Sequence, residues 1–296
     1  MKVKIEEYVN FKRVFRPAIA KNAEKILPKE LGNFQAPISE TQVLELIAGW
    51  KEKHKTKTVN NKIFYLRNFF KYCEARGYNV YKHFNEILNI KDVEDNEQTF
   101  VTAKEVTEAL SKLTGRTEMR VRQRFCTAFL WETGVRVSEL LDITIADINK
   151  SQRLWKQNNC DNVLSAGIIS KKSKRIKYIS WTSDLHKNYL IPYLTFRLLK
   201  NVPHDYLVVN LKGQKLTSRT LEREIKEIFE RIGLKDITPH SLRRGFGLDI
   251  YINTKDIHAT QRKMGHTSIT STQKYLPLTE QTYFELHKNT MPTRII

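Results

Sequence analysis

Transfer of a phosphoryl group between oxygens without a metal needs three kinds of side chain. These are a nucleophile, cations that offset charge on the non-bridging oxygens, and an acid for the leaving oxygen. Arginine suits the second role, because its planar fork donates paired hydrogen bonds to phosphate and stays charged. The sequence holds a set of this kind. In TGVRVSELLDIT, Arg136 stands just after a glycine that breaks a helix, a junction from which a side chain can leave the core and reach a ligand. His240 and Arg243, in HSLRR, are three positions apart and share one face near the start of a helix. Backbone N–H groups at that helix start add donors for a phosphate. His266 follows glycine in MGH, and Tyr275 comes nine positions later. Taken singly, each has a plainer reading: Arg136 as a helix-end residue paired with Glu139, His240 as a cap, Tyr275 as one tyrosine among twelve. Order and spacing are what make them a set.

The elements that must position these residues are mostly helical. SETQVLELIAGWKEKH starts with a cap at Ser39 and places Val43, Leu44, Ile47 and Trp50 on one face. TVNNKIFYLRNFFKYCEARGY does the same with Val59, Ile63, Leu66, Phe69, Phe70 and Cys73, and Gly77 supplies its stop. Lys55, Lys57, Lys62, Arg67, Lys71 and Arg76 decorate this pair, as solvated helix faces do. KDVEDNEQT is acidic and poor in apolar residues, which predicts a linker, and Thr102 caps the next helix, TAKEVTEALSKL. VRQRFCTAFLWETG reads as a buried helix stopped near Gly134, followed by a short helix in VSELLDIT. NVLSAGIISKKSKRIKYISW alternates around a basic turn and predicts a β-hairpin. Helices follow in DLHKNYLIPYLTFRLLK, TSRTLEREIKEIFERIG, the HSLRR stretch and, last, LTEQTYFELHK.

Composition narrows the partner. The 296 residues suffice for two cores, and 40% apolar content excludes global disorder. The 51 Lys and Arg against 32 Asp and Glu give a formal net charge of +19, which favours a polyanion through phosphate neutralisation and counterion release. Three cysteines, Cys73, Cys126 and Cys160, are too widely spaced for a disulfide framework or a zinc site, and no HExxH is present. Apolar runs fall short of a membrane span, and MKVKIEEYVNFKR lacks the apolar core of a secretion signal, which predicts a cytoplasmic protein.

Together the motifs resemble the tyrosine recombinase, or phage integrase, family. That family runs TGxRxSEL, a lysine in a β-hairpin, HxLR, GH and a nucleophilic tyrosine, in this order. The resemblance is closest over Thr102 to Leu276 and looser over the N-terminal helices. It implies a mainly α fold with a small β-sheet. A helical core-binding, DNA-binding domain would span residues 1–92, a linker 93–99, and an α+β catalytic domain with a C-terminal tail helix 100–296. It further implies a site-specific enzyme, Xer-like or integrase-type, that cleaves and rejoins DNA through a 3′-phosphotyrosyl intermediate with release of a 5′-hydroxyl, using neither metal nor ATP, and that no cofactor is needed.

By position, Tyr275 would be the nucleophile, Arg136 and Arg243 the phosphate clamp, His240 an assistant in hydrogen bonding and proton transfer, and His266 a phosphate ligand. The acid would be Lys171 in the turn SKKSKR, with Lys172 as the second choice and Ser170 and Lys174 also in the turn. Lys57, Lys62, Arg67, Lys172, Lys174 and Arg244 are further DNA-contact candidates. The chain departs from the family pattern at Arg244 and Gly245, where a histidine and a small hydroxyl residue are common; Arg244 could compete with Arg243, but the HxxR register favours Arg243. Expected partners are double-stranded DNA with a recombination site and further copies of the chain, as a tetramer exchanging C-terminal tails, in a prokaryotic or viral setting. Two alternatives share these features. One is a type IB topoisomerase that relaxes DNA as a monomer, and the other a non-catalytic DNA-binding relative.

Overall fold

The computed structural model of the protein describes residues 2–273 apart from 36–37, 80–82, 84–85, 88, 91–98, 151–162, 170–175, 201 and 267. The chain packs as two compact units, Met1–Asn96 and Glu97–Ile296, each around its own apolar core. The architecture is mainly α, with one two-stranded sheet among the described residues. None of the described helices is long and apolar enough to cross a membrane.

The first unit holds four helices: α1 (Lys2–Phe15), α2 (Pro17–Leu31), α3 (Glu40–Lys53) and α4 (Thr56–Glu74). In α1 the spacing of Ile5, Tyr8 and Val9 turns one face inward. Proline opens α2, where its missing N–H costs nothing. Ser39 and Gln42 form a reciprocal capping box at the start of α3, as the sequence predicts. The apolar residues expected on α4 are buried, and Tyr8 meets Phe69 and Tyr72 edge-on, with ring centroids 5.6 and 5.2 Å apart. Two of the DNA-contact candidates in this unit are not merely solvated. Lys62 donates to Glu30 at 2.6 Å and lies over Trp50, whose indole N–H donates to the same carboxylate at 2.6 Å. Arg67 donates to the Ile87 carbonyl at 3.2 Å and to Asn89 at 2.8 Å. Both tie chain segments together, whereas Lys57 is exposed.

The second unit is built around α6 (Glu118–Thr133), preceded by α5 (Ala103–Ser111), which the Thr102–Glu105 capping box starts. Buried residues surround α6, which accords with the absence of a polar stripe in its sequence. It ends at Gly134, which adopts φ +56, and α7 (Val137–Leu140) follows at once. Strands β1 (Val163–Ile169) and β2 (Ile176–Thr182) pair antiparallel, from Val163 opposite Thr182 to Ile169 opposite Ile176. The basic turn between them, and the expected helix at LTEQTYFELHK, lie outside the described residues.

The stretch expected as one helix after β2 is in three parts: α8 (Ser183–Leu185), a π-helical turn (His186–Leu190) and α9 (Ile191–Leu198). Pro192 has no N–H to give the carbonyl four residues back, and the backbone widens just upstream of it. Helices α10 (Ser218–Glu230), α11 (Pro239–Thr254), α12 (Ile257–Met264) and α13 (Ile269–Gln273) complete the unit. A buried ion pair, Arg122 to Glu224 at 2.5 Å, joins α6 to α10, and Arg122 also donates to the Val209 carbonyl.

Helix α11 lies so close to Val101 and α6 that only glycine fits at position 245. A Cβ there would stand 1.9 Å from the Val101 carbonyl oxygen and 2.6 Å from Trp131. This accounts for one departure from the family pattern. Gly245→Ala is therefore expected to lose about 2 kcal/mol or more of stability through forced repacking, seen as a lowered thermal midpoint.

Candidate active site

The site is organised by a buried arginine. Thr238 caps α11 by accepting from the Ser241 N–H, and Pro239 occupies its first turn. Arg243 then falls one turn inside, only 1% exposed. One terminal nitrogen donates to the Gly134 carbonyl at the end of α6, and the other to the Met264 carbonyl at the end of α12, at 2.6 Å. These are the carbonyls a helix end leaves without an intrahelical partner. Gly134 is required here twice over: its φ is left-handed, and a Cβ would stand 2.1 Å from the Phe246 ring.

Arg136 is the residue just before α7 and is held by a residue within it. The Glu139 carboxylate accepts from the Arg136 backbone N–H at 3.0 Å and from its guanidinium at 2.8 Å. Glu139 is almost wholly buried, while Arg136 keeps 30% of its side chain exposed. Burial works against the Glu139 charge, but the Arg136 N–H, Lys177 and the Arg136 guanidinium outweigh it and hold the acid below the usual carboxylate range. The plain pairing of Arg136 with Glu139 thus occurs, and it coexists with an outward-reaching guanidinium.

His240 is exposed near the N-terminal end of α11. Val135, Arg136, Val137, Ser138, Ser218, Glu222, Thr238, Pro239, His240 and Arg243 line one open pocket of about 430 Å³. Three of the sequence-predicted residues, Arg136, His240 and Arg243, therefore converge on a single cavity, and the positive end of α11 faces the same space. His266 stands just beyond the left-handed Gly265 that ends α12, and its Nδ1 lies 2.9 Å from the Thr272 hydroxyl. Arg244 points elsewhere, donating to the Thr99 carbonyl at 3.3 Å, and does not line the pocket. Tyr275, Lys171, Lys172 and Lys174 lie outside the described residues.

A further cation, outside the motifs, faces the Glu139 carboxylate. Lys177 is 8% exposed on β2, with its ammonium 3.7 Å from Glu139. A signal for it existed: strict alternation puts Lys177 on the inward face with Ile179 and Trp181, a place where lysine is rare. Burial pulls its pKa down to about 8, with the Arg243 and Arg136 charges adding to the fall and Glu139 opposing it.

A pocket lined by Arg136, His240 and Arg243 at the start of the helix that carries HSLRR is of the class that can hold a phosphate. The sequence matches the phage integrase family over residues 99–282. It is 29% identical over 240 residues to the tyrosine recombinase XerC of Staphylococcus aureus, covering 80% of this chain and 76% of the relative. Among solved structures, the XerH site-specific recombinase bound to palindromic difH substrate superposes with a TM-score of 0.69 at 21% identity, over 96% of this chain and 76% of the other. The Tn1549 transposon integrase in complex with a circular intermediate DNA gives 0.72 at 16% identity, over 96% and 99%. The XerA recombinase gives 0.56 at 20%, over 98% and 99%. The chain belongs to the phage integrase family, the tyrosine-type site-specific recombinases.

Removing the Glu139 charge leaves buried cations without their carboxylate. Glu139→Gln is expected to cost about 3 kcal/mol at neutral pH, measured by denaturant unfolding. Because the folded acid sits below its ordinary value, its stabilisation is present above the unfolded carboxylate pKa and is lost as pH falls through the folded one. The gap between wild type and variant should therefore close on acidification.

Proposed function

We propose that the protein cuts and rejoins double-stranded DNA at a specific recombination site through a covalent tyrosine link. The Tyr275 oxygen attacks the scissile phosphorus, a new P–O bond forms, and the bond to the 5′-oxygen breaks. The products are a 3′-phosphotyrosyl enzyme and a 5′-hydroxyl. Arg136 and Arg243 offset charge on the non-bridging oxygens as the transition state forms. His240 contributes hydrogen bonding and proton transfer, and His266 donates to the phosphate. Lys171, or Lys172 beside it in the turn, delivers the proton to the leaving oxygen. Attack by a 5′-hydroxyl on the phosphotyrosine reverses these steps and seals the strand, so the phosphodiester's energy is conserved and no ATP is consumed.

The observation that carries this reading is the convergence of Arg136, His240 and Arg243 on one pocket at a helix N-terminus. A net charge of +19 and relatives whose structures hold DNA support the polyanionic substrate. In the same proposal, residues 1–92 form the core-binding domain, with Lys57 among its DNA contacts, 93–99 the linker and 100–296 the catalytic domain. Arg244 and the turn lysines Lys172 and Lys174 supply further phosphate contacts. Lys62 and Arg67 support that surface from within, since both are engaged by their own unit. Four protomers assemble across two sites and exchange C-terminal tails, in the cytoplasm, the chain being of prokaryotic or viral origin.

The test is covalent trapping on a library of nicked duplexes with randomised cores. Wild type should form an adduct on a selected subset of sequences, and Tyr275→Phe should form none; an adduct that persists in that variant would refute the assigned nucleophile. Arg136→Ala should slow adduct formation by about 10²- to 10³-fold, measured at a temperature where the variant is folded, since it also takes a partner from the buried Glu139. Adducts formed without sequence preference, with relaxation of supercoiled plasmid, would point to topoisomerase-like chemistry instead.

A further inference from the structure

We propose that Lys177 is a positioning residue of the phosphate clamp. Its ammonium sits buried beside Arg136 and Arg243 and shares Glu139 with Arg136, so one carboxylate serves two cations with a third close by, and an anion in the pocket completes the balance. The inference rests on the reading of this pocket as a phosphate site.

The geometry carries it. The ammonium lies 3.7 Å from Glu139, beyond hydrogen-bond distance, and is buried with no hydrogen-bond partner among the described residues. Burying a charge so poorly satisfied is expensive, and an apolar side chain in line with Ile179 and Trp181 would fill the space at less cost. The surroundings are also fitted to it. A Cβ on Gly265 would stand 2.9 Å from the Lys177 Cδ and 3.0 Å from its Cε, so the glycine before His266 makes room for the lysine stem. The stem thereby touches the segment that carries His266, and the ammonium reaches the carboxylate that orients Arg136.

The charged groups around the lysine can be named. Arg136 and Glu139 face it from the start of α7, and Arg243 from α11. On α6, Glu132 is engaged with Thr182, and on α12 Lys263 donates to Ser180, both on the β2 strand itself or its last residue. His266, beyond α12, is joined to Thr272. Among the described residues Glu139 is thus the carboxylate at hand, and it already serves Arg136. Burial first, then the two arginines, bring the ammonium's pKa down to about 8 against the pull of Glu139. An anion arriving beside them raises it again, so anion binding above that pH takes up a proton.

Sulfate is the probe, because it is tetrahedral and its charge does not change over this range, and binding is followed on the full-length protein at constant ionic strength. Wild-type affinity should fall about tenfold between about pH 7.5 and about pH 9.5, a window above the histidine range. Lys177→Arg, which stays charged, should show no such fall, and Lys177→Met should bind about tenfold more weakly at about pH 7.5. Arg136→Ala should abolish binding, which locates the sulfate. In its absence Lys177→Met should melt at a higher temperature than wild type, the reverse of what a structural lysine would give. The proposal is overturned if sulfate does not bind saturably, if wild-type affinity is the same at both pH values, or if Lys177→Met binds as wild type does. Should Lys177→Met fail to fold, wild type and Lys177→Arg still decide it. None of these measurements involves DNA, so a failed trapping experiment and a failed sulfate titration are separate results.

Discussion

The guanidinium of Arg243 is bonded to two backbone carbonyls, Gly134 on one side and Met264 on the other, and both belong to helix ends. Three segments of the second unit therefore meet at one buried cation: the end of α6, the body of α11 and the end of α12. Each segment carries a candidate site residue a short way on, with Arg136 after Gly134, His240 one turn before Arg243, and His266 after Met264. Fixing the guanidinium fixes their spacing. A group that must meet developing charge on a phosphate without rearranging is best held this way, since preorganised donors need no reorganisation when the reaction occurs.

Charge balance separates this place from the rest of the core. Arg122 and Glu224 are also buried and also join two helices, but there one cation meets one carboxylate at 2.5 Å, and a carbonyl takes a further donor. At the pocket, Arg136 and Lys177 share Glu139, at 2.8 and 3.7 Å, and Arg243 adds its charge beside the lysine. Burial without full compensation costs stability. In a folded chain such an excess is tolerable where a ligand of opposite sign is to be bound, and the open side of this cluster is lined by Arg136, His240 and Arg243.

Much of this was readable from the chain because it is written in local chemistry. The caps at Ser39 and Thr102, the stop at Gly134 and the alternation of the hairpin each depend on a few neighbouring residues, and each is found in the structure. What escaped depends on tertiary context. Helices α1 and α2 are hard to tell apart in the sequence, since their buried faces rest on a few residues such as Ile5, Tyr8, Ala20 and Ala23 among many charges. The π-helical turn follows from the demands of Pro192 inside an otherwise continuous helical pattern. Lys62 and Arg67 looked like surface charge because their partners, Glu30 and the 87–89 segment, are distant in sequence. Lys177 is hard to single out because the basic turn before it offers several lysines, while the strand's alternation is what places this one inside.

The two glycine motifs then have a common physical meaning. TGVR and MGH each end a helix with a glycine in the left-handed region, at φ +56 and +64. Such an ending leaves the last carbonyls of the helix without intrahelical partners and gathers the negative end of its dipole. Both helices, α6 and α12, present such a carbonyl to the same buried arginine, and in both the chain leaves the glycine toward a residue of the candidate site. The glycine thus does two things at once: it exposes an acceptor that binds the central cation, and it turns the next residues out of the core. Its lack of a Cβ adds a third at each position, giving room to Phe246 at Gly134 and to the Lys177 stem at Gly265. An alanine at either place would strain the backbone and collide with a neighbour that orients the cluster, so these motifs are constrained by packing around Arg243 as much as by the chemistry of the residues they introduce.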